Sequence, residues 1–345
     1  MSIVDGSVSR RTMLGAALGG TALAALEAPA ARASVPFALA SRAATIAKFT
    51  GQQPTYWGMF APGVRSRFST ATAAGKDAVC LTFDACGGQT TRYDATLIAT
   101  LRKYQVPATL FINRFWAQNN QATFAQLLTD PLFDIQSHGS AHVPLSVTGR
   151  SAYGIKGTTT VGGVWDEVSG CYSYMGRSFN HNPRFMRAGT CFTDDVAARA
   201  ATFMGQQLVS FAINGDAGAS YAASTVTTEV CKAKPGDIVI SHMNHPGGGT
   251  APGYAKAIPA LKARGYMFRT LSQVLANAPT PTRWVTIQYG SRGPEVVRVQ
   301  RFLHLTPDGS FGSITRAAVR TYQSTHRLVP DGIVGPLTAH AMGLV

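Results

Sequence analysis

Two histidines four residues apart, in Ser137-His138-Gly139-Ser140-Ala141-His142, are the clearest chemistry in this 345-residue chain. Neutral imidazoles bind divalent cations well, and a pair from one short segment grips an ion from one side. Upstream, the apolar run Leu81-Thr82-Phe83 ends in the lone carboxylate Asp84; downstream, Ile238-Val239-Ile240-Ser241 runs into His242. A carboxylate and histidines delivered to one sheet edge are the parts of a metal-assisted hydrolase. Amide hydrolysis needs an activated water, a positive centre for the oxyanion and an acid for the departing amine. A divalent metal on His138 and His142 meets the first two needs, since coordination lowers the pKa of water from about 15.7 towards about 7. Asp84 is then the candidate base and His242 the candidate acid. Arg187 is the candidate to hold Asp84 ionised, and Asp216 the candidate to hold His242 protonated.

The elements that must position these groups alternate between strand and helix. Strands are expected at Ala78–Phe83, Val106–Asn113, Phe133–Gln136, Arg184–Arg187, Gln207–Ile213, Ile238–Ser241 and Met267–Thr270, from short β-branched, apolar runs. Helical spacing marks Tyr93–Tyr104, Ala122–Leu128, Val161–Met175, Asp194–Phe203 and Gly253–Ala263. This order predicts an α/β fold, a parallel sheet or barrel with its chemistry at the strand C-termini. Asp84, His138, Asp216 and His242 each fall just past a predicted strand, as a single site requires.

The first 33 residues read as an export leader. Ser9-Arg10-Arg11-Thr12-Met13-Leu14 is a twin-arginine start, a mild apolar run reaches Leu26, and Ala31-Arg32-Ala33 is a small-x-small cleavage signal. That run is too short and too rich in Gly and Ala to span a bilayer, and no later stretch qualifies. The leader carries three Arg and two acids, so a whole-chain charge of +14 becomes +13 over the remaining 312 residues, enough for about two domains. An exported chain with scattered positive charge points away from nucleic acid and towards an anionic cell envelope, with a monomer expected. Five cysteines (Cys80, Cys86, Cys171, Cys191 and Cys231) allow up to two disulfides in that compartment with one left over, and Cys80 and Cys231 read equally as small buried apolar side chains. Without a CxxC, neither a redox motif nor a zinc ribbon is indicated.

Texture changes near residue 277. Asn277-Ala278-Pro279-Thr280-Pro281-Thr282 reads as a linker, set at 277–286. Beyond it, Asp308-Gly309-Ser310-Phe311-Gly312-Ser313-Ile314-Thr315 recurs as Asp331-Gly332-Ile333-Val334-Gly335-Pro336-Leu337-Thr338. Each copy has Asp-Gly for a turn and Thr near a helix start, and helical spacing marks Val296–Leu303 and Thr315–Gln323. With Tyr289–Val296, Val299–Leu303, Ala318–Arg320 and Gln323, this segment (287–345) resembles the three-helix peptidoglycan-binding domain.

Five segments of the larger domain, set at 77–276 after a leading segment 34–76, resemble the motifs of the polysaccharide deacetylases, NodB-homology carbohydrate esterases. They are Thr82-Phe83-Asp84, His138 with His142, Phe185-Met186-Arg187, Asn214-Gly215-Asp216 and Ile238–His242. Ser146–Gly157 and His242–Gly249 look like the branch whose first motif reads Thr-Phe-Asp-Ala-Cys-Gly-Gly. The resemblance implies a distorted (β/α) barrel, a divalent metal (Zn2+, with Co2+ or Mn2+ as alternatives) and removal of acetyl groups from N-acetylated sugars such as those of peptidoglycan. Asn214, Thr190 and His245 are expected on the substrate side. One departure from the family pattern matters: Ala85 stands where a second aspartate usually completes the metal triad. Asp84 itself, a water or Asp94 could fill that place, and Cys86 offers a thiolate or merely a compact turn. Two other functions stay open at this point: a catalytically impaired wall-binding scaffold, and an O-acetyl esterase acting on another polysaccharide.

Overall fold

The computed structural model describes residues 39–87, 92–275, 286–326, 330–342 and 344. The leader and the Pro/Thr linker, apart from Thr286, lie outside the described residues. All five cysteines are free, so no disulfide forms; Cys80 is buried as the apolar reading expects, whereas Cys231 is only half-buried.

A curled sheet of eight parallel strands positions the site: β1 (Ala78–Ala85), β2 (Ala108–Ile112), β3 (Phe133–Ser137), β4 (Phe185–Met186), β5 (Gln207–Leu208), β6 (Ile213–Asn214), β7 (Ile238–His242) and β8 (Met267–Phe268). Their order is β6-β7-β1-β2-β3-β4-β5, with β8 paired to the start of β1. Every residue of β1 and β2 is buried, and both read as near-continuous apolar runs broken only by Thr82, Asp84 and Thr109, as strands covered on both faces do. Helices α1 (Ala95–Lys103), α2 (Gln121–Thr129), α3 (Val161–Phe179), α4 (Asp195–Met204), α5 (Ala223–Val230) and α6 (Thr250–Ala263) accompany the sheet. Asp94, Thr160 and Asp194 cap α1, α3 and α4 through side-chain acceptors for backbone N–H groups.

The expected strand Gln207–Ile213 is instead two short strands at opposite edges of the sheet. Between them the chain crosses the opening of the half-barrel. Segment 65–68 closes that gap: Arg65 N–H donates to Leu208 O, Ser210 N–H to Arg65 O, and Phe68 N–H to Gly236 O, while Arg67 pairs with Asp237. The structure also contains helices Arg42–Phe49, Arg114–Asn119 and Leu271–Leu275, in addition to α5. Each falls in a stretch without a full helical repeat of apolar residues.

The C-terminal module is built from α7 (Pro294–Phe302), α8 (Ser313–Thr325) and α9 (Pro336–Ala341) around Val296, Val299, Phe311, Val319 and Val334. Its repeated motif is a repeated hydrogen-bond clasp. The Gln300 amide donates to Asp308 Oδ1 (2.7 Å), Ser310 O (3.0 Å) and Thr315 Oγ1 (3.2 Å), and its Oε1 accepts from Gly309 N–H (2.9 Å). Gln323 makes the same four bonds to Asp331, Ile333, Thr338 and Gly332 at 2.8, 2.9, 3.1 and 2.9 Å. One buried glutamine thus fastens each Asp-Gly turn to the following helix start.

Candidate functional site

The strand C-termini bring Asp84, His138, Arg187, Asp216 and His242 together. Asp84, the penultimate residue of β1, is the in-register neighbour of His242, the last residue of β7. His138 follows β3 directly, Arg187 follows β4, and Asp216 lies two residues past β6.

Asp84 is 2% exposed and faces Arg187 and His138. Arg187 Nη1 donates to Asp84 Oδ1 at 2.6 Å, and His138 Nε2 lies 3.6 Å from Oδ2. Burial works to raise the carboxyl's pKa. The charges of Arg187, His138 and His242, with the Arg187 hydrogen bond, outweigh it and hold the group below the usual carboxylate range. The Arg187 guanidinium is itself fully buried. Its Nη2 and Nε donate to the carbonyls of Ser210 and Val209, and it lies 4.2 Å from the centre of the Phe111 ring. Arg187 also orients His138, because its carbonyl accepts from His138 Nδ1–H at 3.0 Å, which leaves Nε2 as the free ring nitrogen.

His138 Nε2 points at Cys86, whose Sγ is 3.7 Å away, and the His142 ring stands at 80° to the His138 ring with centroids 4.8 Å apart. Donor atoms of Cys86, His138 and His142 all lie within 4.8 Å of one another. Two observations fit this trio to a cation. His142 Nε2 is buried without a hydrogen-bond partner. Burial would raise the Cys86 thiol, yet the neighbouring imidazoles, His138 first, outweigh it and hold the thiol well below its usual range, towards the thiolate form that ligates metals. Asp84 and Asp94 do not join the trio: Asp84 is engaged by Arg187, and Asp94 accepts from Leu97 N–H at the head of α1. Of the third donors weighed from the sequence, Cys86 is the one that lies with the histidine pair.

Cys86 and the histidine loop are held by two side chains that sequence reasoning did not single out. Asn113 donates to the carbonyls of His138 and Gly139 at 3.2 and 2.9 Å while its Oδ1 caps helix Arg114–Asn119. A Cβ at position 87 would lie 2.2 Å from Asn113 Oδ1, so the Cys86-Gly87 turn requires glycine. Glu167 on α3 accepts from the N–H groups of Ser140 (3.0 Å), Ala141 (2.8 Å) and His142 (3.1 Å), fastening the loop between the two histidines, where His142 has a left-handed backbone (φ 62°). An acid within an otherwise apolar helix face was the signal for Glu167.

His242 is fixed through Asp216, which is fully buried. His242 Nδ1 and backbone N–H donate to the two Asp216 oxygens at 2.8 and 2.7 Å, and Thr250 Oγ1 adds a third bond at 3.0 Å. Burial pushes the His242 imidazole down, but the Asp216 hydrogen bond and the neighbouring Cys86 outweigh it, and it stays protonated well above its ordinary range.

A pocket of about 420 Å³ opens onto Asp84, Cys86, His142 and His242. Thr190 and Asn214 line it. His245 is not among the lining residues; its ring stands 6.3 Å from that of His242.

Residues 71–209 match the polysaccharide deacetylase family model, and residues 292–342 match the peptidoglycan binding domain model. The larger domain is a polysaccharide deacetylase domain. Its fold is similar to that of a peptidoglycan N-acetylglucosamine deacetylase solved in complex with a naphthalenyl N-hydroxybenzamide. There the identity is 19%, the TM-score 0.50, and the match covers 63% of this chain and 94% of that one. It is also similar to a CE4 family pseudoenzyme from Bacillus anthracis, at 19% identity and TM-score 0.51, covering 62% and 69% of the two chains. A mutant of that pseudoenzyme with restored enzymatic activity matches at 20% identity and TM-score 0.51, over 62% and 72%. No curated protein matches the chain. At this identity the likenesses establish the fold of the deacetylase domain; its chemistry is argued from its own residues.

Proposed function

We propose that this protein is an exported, metal-dependent deacetylase that removes acetyl groups from N-acetylated sugars of cell-wall peptidoglycan and acts as a monomer. The observation that carries the reading is the pairing of a carboxylate held ionised (Asp84 by Arg187) with an imidazole held protonated (His242 by Asp216) on adjacent strands beside three convergent donors. Cys86, His138 and His142 would hold the ion; a Cys/His donor set suits Zn2+, or Co2+, better than Mn2+. A divalent ion there supplies Lewis-acid polarisation and an acidified water.

The chain's own groups complete the chemistry. Asp84 accepts a proton from the attacking water, and Arg187 keeps the carboxylate ionised and aimed. His242 donates a proton to the departing amine through Nε2, because Nδ1 is committed to Asp216. Thr190 and Asn214 contact the sugar from the pocket wall, with His245 outside it. The C-terminal module raises the enzyme's local concentration at the wall. The twin-arginine leader at 1–33, outside the described residues, directs export, and the module's wall-binding character supports that location.

Acetate release from purified wall, followed by mass spectrometry with and without chelator, tests the reading. Loss of acetyl groups that chelator and His138→Ala both abolish is the expected result. Wall binding without acetate release would favour the scaffold reading that Ala85 raises.

A further inference from the structure

Loop 144–158, between the histidine pair and α3, is built as a presentation arm. Ser151–Ala152 pairs antiparallel with Ile155–Lys156, and the tip residues Tyr153 and Gly154 both have left-handed backbone (φ 52° and 75°). A two-residue hairpin turn with positive φ at both positions favours Asn-Gly or Asp-Gly, and a bulky side chain at the first position costs free energy. Burial does not repay that cost, because Tyr153 is 72% exposed. The arm is nevertheless fastened: Ser146 N–H donates to Thr158 Oγ1 (2.8 Å), Thr158 Oγ1 donates to Ser146 O (2.6 Å), and Gly157 N–H donates to Arg150 O (3.0 Å). The Tyr153 ring meets Phe192 edge to face at 5.5 Å and 89°, and Phe192 packs on Trp57 at 5.6 Å.

Tyr153 and Ile155 line the pocket that holds Asp84, His142 and His242, and Met59 and Phe211 extend its apolar lining. None of these four side chains carries charge. An exposed ring on a rigid arm, continuous with a hydrolytic centre, matches the apolar C–H face of a pyranose while the sugar hydroxyls stay in water. We propose that Tyr153 and Ile155 form a sugar-stacking subsite for the neutral hexopyranose residue next to the one that loses its acetyl group. The subsite rests on the deacetylase reading above and makes the enzyme a chain-length-selective one.

The test uses full-length protein with Tyr153→Ala and Tyr153→Phe, and N-acetylglucosamine oligomers from monomer to pentamer as substrates. Wild-type kcat/KM is expected to rise with length. In Tyr153→Ala the KM for the pentamer should rise about five- to tenfold with kcat held within about twofold, while Tyr153→Phe, which keeps the ring, stays near wild type. An unchanged pentamer KM in Tyr153→Ala, or a loss confined to kcat, would overturn the subsite. Should the wild type release no acetate from any oligomer, calorimetric binding of the pentamer decides the subsite, and the deacetylase reading fails only if purified wall releases none either. A five- to tenfold weakening in Tyr153→Ala supports it, since the C-terminal module contributes equally to both proteins; equal or absent binding overturns it.

Discussion

Asp216 accepts from both the Nδ1–H and the backbone N–H of His242, so one buried carboxylate fixes the ring's rotation, its tautomer and its strand end together. The carboxylate stabilises the imidazolium, and the protonated acid survives to higher pH than a free histidine. Asp216→Asn removes that charge with little change in shape. The alkaline limb of the kcat/KM profile should then move towards acid by about 1–3 pH units. Activity at the optimum should fall by on the order of a hundredfold or more. A pH–rate profile of acetate release checks both, and an unmoved alkaline limb would exclude His242 as the proton donor.

Cys86 as a ligand predicts a spectroscopic signature independent of turnover. Protein loaded with Co2+ should show a thiolate-to-metal charge-transfer band in the near ultraviolet that Cys86→Ser abolishes. Loss of an outer partner of a ligand costs about 10–100-fold in metal affinity, so loss of Cys86 itself should cost at least about 100-fold. Competition titration with a chromophoric chelator measures it.

Glu167 accepts from three consecutive amides of the histidine loop, and removing it strands buried donors. Glu167→Ala should destabilise the fold by about 3 kcal/mol or more in urea denaturation. Amide exchange at residues 140–142 should accelerate. Glu167→Gln keeps only part of the accepting capacity and should fall between the two.

Gln323→Ala should leave the second clasp unmade, with Gly332 N–H losing its acceptor and Thr338 Oγ1 losing the amide that donates to it. Retention on wall sacculi is expected to drop while acetate release from soluble oligomers persists. Coupled loss of both activities would contradict a separate tethering role for the module.

Much of the site is legible because buried parallel strands write near-continuous apolar runs, and the groups at or just past their ends (Asp84, His138, Arg187, Asp216, His242) meet at one sheet edge. Cys86 is harder to read. Whether its sulfur faces the histidines depends on how closely Gly87 approaches Asn113, a contact between different loops. Periodicity marks the buried face of α3 but does not reveal which loop docks on Glu167. Helix α5 hides in a Thr- and Val-rich stretch of modest helix propensity and forms because Val226 and Val230 are buried. The run after Gln207 reads as one strand because its apolar residues continue across the point where the chain leaves one edge of the sheet for the other.

The register match of Asp84 with His242 has an evolutionary consequence. Neighbouring strands are about 4.8 Å apart wherever a sheet forms, so the backbone spacing between the proposed proton acceptor and proton donor is set by sheet geometry. Loops such as 144–158 can lengthen, shorten or change residues without disturbing that spacing. Substrate range is therefore free to diversify under mutation while the hydrolytic step stays conserved.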